Sequence, residues 1–125
     1  MKILVADDEP QIVKAMQWIF EKQGYDVVVA ARGDVALSLV ESEQPDVVFL
    51  DLNMPGMSGL EICDRLRTHE RCLNLPIYIL TGQDRDMMRL EPTELGATAY
   101  LVKPISRGRL LELVSAPPGT QRRSQ

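Results

Sequence analysis

Five short runs of consecutive apolar residues punctuate the chain, at 3–6, 27–30, 47–50, 77–80 and 100–102. Continuous apolar runs of this length suit strands covered on both faces, as in a parallel sheet. Between them the apolar positions recur with helical spacing, and strands alternating with helices make repeated βα units. Pro10 opens the first helix, where its fixed φ and missing N–H are harmless. Ile12, Val13, Met16, Ile19 and Phe20 mark one face of that helix, and Gly24 closes it. The second helix runs from about Asp34 to the stop at Pro45, and the third follows Ser58 and Gly59, with Leu60, Ile62, Cys63 and Leu66 as apolar positions. A fourth helix is expected over 84–95, interrupted by Pro92, and a fifth behind Ser106 as N-cap, carrying Leu110, Leu111 and Val114. The predicted fold class is α/β, a doubly wound five-stranded parallel sheet with helices on both faces.

After Val114 the pattern gives way to "SAPPGTQRRSQ". This divides the chain into one domain over 1–115 and a flexible tail, or the start of a linker, over 116–125.

Composition narrows the class. With 125 residues, 45% apolar and 26% charged, the chain can build one proper core without disulfides. No apolar run approaches a membrane span, and the N-terminus lacks the basic flank and long apolar stretch of a signal peptide, so the expectation is a cytoplasmic protein with no membrane partner. The formal charge of −4 argues against direct nucleic-acid binding by this domain. Cys63 and Cys72, in one expected helical region, fit neither a metal spacing nor a secreted disulfide framework and are read as reduced residues.

The chemistry lies where the apolar runs end. In an open parallel sheet, ligands bind beyond the C-terminal strand ends, near the point where strand order reverses. The first run ends in Asp7, Asp8 and Glu9, the third in Asp51, the fourth in Thr81, the fifth in Lys103 and Pro104. A carboxylate at the mouth of a sheet is costly unless it is paired, metal-bound or used. Mg²⁺ (or Mn²⁺) takes oxygen ligands and keeps several waters, so Asp8 and Asp51 suffice, with Asp7 beside them. A carboxylate can attack phosphorus to form an acyl phosphate, and Lys103 and Thr81 supply positive charge and a hydroxyl donor for the transferred group.

The segments "ILVADDEP", "GYDVVVAARGDVAL", "PDVVFLDLNMPGMSGLE", "LPIYILTG" and "GATAYLVKPIS" resemble the receiver domain of bacterial two-component response regulators, over residues 1 to about 115. The resemblance implies strand order 2-1-3-4-5. It implies that Asp51 accepts a phosphoryl group from a histidine kinase or histidine phosphotransfer protein, and that Mg²⁺ is held by Asp8, Asp51 and the backbone carbonyl of Asn53, with Asp7 assisting. Thr81 and Tyr100 would form the switch pair, Lys103 would contact the phosphoryl oxygens, and Pro104 would fix the loop presenting it. Asn53 and Gln83 would stand at the rim, orienting or blocking the water that hydrolyses the product. The first helix would dock the donor, and its outer arc is Gln11, Lys14, Ala15 and Trp18. Departures from the family pattern are Gly82 after Thr81, Ile105 after Pro104, and Pro92. A helix broken at Pro92 is expected to be short or kinked and to disfavour tight symmetric pairing through the fourth helix, fifth strand and fifth helix.

The leading reading is a switch that signals to a downstream effector domain or protein. An Mg²⁺-dependent phosphohydrolase with an Asp51 nucleophile would need a general acid or base nearby, where neutral Asn53 stands. A phosphorylation-independent adaptor would have no use for the complete acidic set.

Overall fold

The computed structural model describes residues 1–82 and 96–115. The expected fourth helix with Pro92, the rim residue Gln83 and the tail 116–125 lie outside the described residues. In chain order the elements are β1 (Lys2–Ala6), α1 (Pro10–Lys22), β2 (Asp26–Ala30), α2 (Gly33–Glu43), β3 (Val47–Asp51), α3 (Gly59–Leu66), a 3-10 turn (Glu70–Cys72), β4 (Ile77–Thr81), β5 (Ala99–Val102) and α4 (Arg107–Ser115). The five strands form one sheet in the order β2-β1-β3-β4-β5, and every adjacent pair is parallel. The predicted α/β class and strand order are both borne out.

Each apolar run became a strand because it is buried from two sides. All five residues of β3 and of β4 are buried. Alternate side chains feed two cores. Leu4, Val48, Leu50, Ile77 and Ile79 pack with Ala36, Val40, Ile62 and Leu66 of α2 and α3. Ile3, Val5, Phe49, Tyr78 and Leu80 pack with Met16 and Phe20 of α1 and Leu110, Leu113 and Val114 of α4. In that second core Phe20, Phe49 and Tyr78 form a row, with ring centroids 5.5 and 5.3 Å apart. Burying one such aliphatic or aromatic side chain stabilises by roughly 1.5–3 kcal/mol.

The helix boundaries follow their capping chemistry. Pro10 is the first residue of α1, and the backbone turns out of that helix ahead of Gly24, which has φ +89°. The Ser58 hydroxyl accepts from the Glu61 N–H at 3.2 Å, and the Ser106 hydroxyl from the Arg109 N–H at 3.1 Å. One expectation needs correcting. Cys63 and Cys72 do not share a helix: α3 ends at Leu66, and Cys72 closes the 3-10 turn. The apolar helical period fails after Leu66, where Thr68, His69, Glu70 and Arg71 are exposed, and a tighter turn returns Cys72 to the core. Both cysteines are buried free thiols, and burial pushes that of Cys63 up to about 12.

Candidate functional site

Sheet register brings the polar strand ends together. Ala6 pairs with Leu50, so Asp7 and Asp51 follow on neighbouring strands at the point where strand order reverses. Thr81 pairs with Val102, and the Lys103 N–H donates to the Thr81 carbonyl at 2.7 Å, carrying Lys103 back over the same edge. Asp7, Asp51 and Thr81 are the buried polar residues among those described, at 1%, 7% and 3% exposure. Asp8 and Asn53 are exposed. Asp8, Glu9, Asp51, Leu52, Asn53, Thr81, Gly82 and Lys103 line an open cleft of about 420 Å³.

A single ammonium sits among the acids. Lys103 Nζ lies 2.8 Å from Asp7 Oδ2, 2.9 Å from Glu9 Oε1 and 3.0 Å from Asp51 Oδ1. Asp7 Oδ1 accepts from the Glu9 N–H at 3.0 Å, so both oxygens of that buried carboxylate are engaged. Burial works against the Lys103 charge, but the bonds to Asp7, Glu9 and Asp51 outweigh it and its pKa is raised. Asp51 is raised as well, first by burial, with repulsion from Asp7 and Asp8 adding to it and Lys103 pulling the other way. Among the described residues, this one cation faces the carboxylates of Asp7, Asp8, Glu9 and Asp51.

A hard divalent cation fits this donor set. Asp7, Asp8 and Asp51 each offer a carboxylate oxygen, all within 4.8 Å of one another, and hard cations prefer oxygen donors. Added positive charge would relieve the repulsion from Asp7 and Asp8 that adds to the effect of burial on the Asp51 carboxyl.

The other predicted residues fall into two groups. Tyr100 is half-buried on β5, one residue beyond the pairing of Ala99 with Tyr78, and packs against the core that α2 and α3 cover. Pro104 is exposed, and the Lys103–Pro104 peptide is cis. Gln11, Lys14, Ala15 and Trp18 are all exposed on α1. Gln11 and Ala15 line a second hollow of about 470 Å³ between α1 and α4, with Ile12, Met16, Ile19, Ile105 and Leu110. Lys14 and Trp18 are not part of its lining, and the Lys22 ammonium lies 4.6 Å from the Trp18 ring centroid. Glu9, Gly82 and Lys103 border both hollows, so the groove opens directly beside the acidic cleft.

Two residues that the sequence placed near the site, without giving them a part in it, touch its reacting groups or backbone. Glu9 caps no N–H of α1 and turns to Lys103 instead. Its signal was the third acid of "DDEP", ahead of a proline that already starts the helix. Gly59 stands where a Cβ would come within 2.5 Å of the Asp51 carbonyl oxygen, and its N–H donates to Leu52 at 3.0 Å. Only glycine lets α3 start so close to the backbone that carries Asp51.

A doubly wound sheet with an acidic cleft at its switch point defines a class, and comparison with known proteins narrows it. The family described as the response regulator receiver domain matches residues 3–115. The chain belongs to that family. It is 43% identical over 105 residues to the alkaline phosphatase synthesis transcriptional regulatory protein PhoP of Bacillus subtilis (strain 168), covering 84% of this chain and 43% of that protein. The chain thus spans less than half the length of this relative. Among solved structures, the BeF3-activated N-terminal receiver domain of Klebsiella pneumoniae RstA superposes with a TM-score of 0.82 at 34% identity, covering 92% of this chain and 96% of that one. The receiver domain of a Pseudomonas aeruginosa sensor histidine kinase, solved with a magnesium ion in its active site cleft, also gives 0.82, at 25% identity over 91% and 93% of the two chains.

This is therefore a response regulator receiver domain of a two-component system. No described helix is long and apolar enough to cross a membrane.

Proposed function

We propose that Asp51 is the phosphoacceptor of this domain and that the reaction runs with Mg²⁺ held by Asp8, Asp51 and the Asn53 carbonyl, with Asp7 assisting. One observation carries the reading: the nearly buried Asp51 carboxylate sits in the cleft 3.0 Å from Lys103 and clustered with two further aspartates. The magnesium ion, when bound, offsets negative charge on the phosphoryl oxygens and on the carboxylates. An Asp51 carboxylate oxygen forms the new P–O bond, and the P–N bond to the donor histidine breaks, its electron pair returning to the imidazole. Lys103, already in contact with Asp51, faces the transferred group and matches its charge. Thr81, buried on the neighbouring strand end, supplies a hydroxyl to a phosphoryl oxygen, and Tyr100 follows it as the second half of the switch. Asn53 and Gln83 govern access of the hydrolysing water. Neither is charged, which favours a phosphoacceptor over a turnover phosphohydrolase.

The donor, a histidine kinase or histidine phosphotransfer protein, docks on α1 at Gln11, Lys14, Ala15 and Trp18. The adjoining groove supports this, because a partner seated there meets the cleft across Gly82 and Lys103. We place the working domain at 1–115, in the cytoplasm, with output to an effector domain or protein. Incubation with acetyl phosphate and Mg²⁺, then peptide mass spectrometry, tests the reading. One phosphoryl group on the Asp51 peptide is expected. Labelling that survives Asp51→Asn, or that proceeds equally in EDTA, contradicts it.

A further inference from the structure

The loop from Leu52 to Ser58 carries Asn53, and three attachments hold it. At one end the Leu52 N–H donates to Leu80 at 2.8 Å, extending the β3–β4 ladder. At the other, Ser58 caps α3 and Gly59 lies against Asp51. The middle is held from a different part of the chain: the Gly33 N–H donates to the Pro55 carbonyl at 2.9 Å. A Cβ built on Gly33 would overlap the Met57 carbonyl oxygen and come within 2.6 Å of its carbon. Gly33 is buried and opens α2, and its φ is not among the positive ones. Glycine is therefore present for close approach, at a helix position where it is otherwise a poor residue.

From this we infer that Gly33 is a positioning residue for the metal site, acting through the Pro55–Met57 backbone on the Asn53 carbonyl. The inference rests on the proposed role of that carbonyl as a ligand. Asn53 is exposed, in the short stretch between the pins at Leu52 and Pro55. Releasing the second pin leaves its carbonyl free to turn away, and the ion must then order the loop as it binds.

Calorimetric titration with Mg²⁺, paired with melting curves in EDTA and in Mg²⁺, tests this on the whole chain. Gly33→Ala should bind Mg²⁺ about tenfold more weakly, and the melting-temperature gain from Mg²⁺ should shrink accordingly. Gly108→Ala, on α4 with open space at its Cα, should match wild type in both. A Gly33→Ala protein that melts lower but keeps wild-type Mg²⁺ affinity would show a purely structural role and overturn the inference. If Gly33→Ala does not fold, Gly56→Ala decides. Gly56 is exposed, has φ +85° and lies under Asp34, so the change strains the same loop segment from solvent. Weaker Mg²⁺ binding is expected there too, and wild-type affinity overturns the inference. A wild-type protein that binds no Mg²⁺ would overturn the proposed function and this inference with it. Wild-type binding with unchanged variants removes the inference alone.

Discussion

The two ends of the sheet each hold a lysine beside acids, and they differ in how far water reaches them. At the N-terminal edge Lys2 Nζ meets Glu43 at 2.8 Å and the Lys2 N–H donates to Asp46 at 2.8 Å. Those Lys2 and Glu43 side chains are 33% and 37% exposed, whereas Lys103 and Asp7 at the other edge are 13% and 0% exposed. Solvent screens the first cluster, and an exposed pair of that kind contributes little. In the second, Asp7 and Asp51 are sheltered while Asp8 and Glu9 face solvent, so screening is weakest at the two buried carboxylates. Similar residue types make a solvent-exposed ion pair at one edge and a partly buried acidic cleft at the other.

The largest way to break this contrast is Lys103→Ala. Removing the ammonium that meets the buried Asp7 and Asp51 carboxylates should cost about 3 kcal/mol in EDTA, read by chemical denaturation. Mg²⁺ should restore part of it, and equal loss with and without Mg²⁺ would refute the picture of weakly screened carboxylates.

Asp51→Asn should act in the opposite direction in the metal-free protein. The Asp51 carboxyl is held above its usual range, chiefly by burial. The folded protein therefore keeps that proton to higher pH than the unfolded chain, and stability falls as pH rises through the window starting near the ordinary carboxylate value of about 3.9. The amide escapes this penalty. Asp51→Asn should be more stable than wild type at neutral pH and lose its advantage as pH drops below that window. Melting curves across pH check the sign.

Asp8→Ala should have a smaller effect on folding, since Asp8 is exposed, but should weaken Mg²⁺ binding clearly by calorimetry. At the small end, Trp18→Ala should leave acetyl phosphate labelling and stability unchanged while slowing transfer from a histidine donor. Lys2→Ala should leave melting curves within their scatter, with or without Mg²⁺.

What the sequence disclosed follows from which signals are local. The strand centres were legible because burial on two faces demands unbroken apolar runs. Strand ends were read short: β1 and β2 start at Lys2 and Asp26, and β3 and β4 end at Asp51 and Thr81, where a polar side chain stops the apolar run while backbone pairing continues. Pro10 announced a helix start through its fixed φ and Ser106 through capping chemistry, while the third helix was placed after Ser58 and Gly59 and in fact begins at Gly59. The start of α2 at Gly33 was read one residue late, because glycine there answers to Met57 and not to the helix. The aspartates, Thr81 and Lys103 were legible as strand-end residues of a parallel sheet. The Lys103–Glu9 bond joins residues 94 positions apart and depends on where β5 places its end, so no local pattern carries it.

The central claim is that Asp51 is the reacting group and that the cleft works only with a divalent cation. Its most direct test is mass spectrometry of the intact chain and its peptides after acetyl phosphate treatment, with Mg²⁺ and with EDTA, for wild type and Asp51→Asn. One phosphoryl group is expected, on Asp51, in wild type with Mg²⁺ alone. A phosphoryl group found elsewhere, or formed on Asp51 as readily in EDTA, would contradict it.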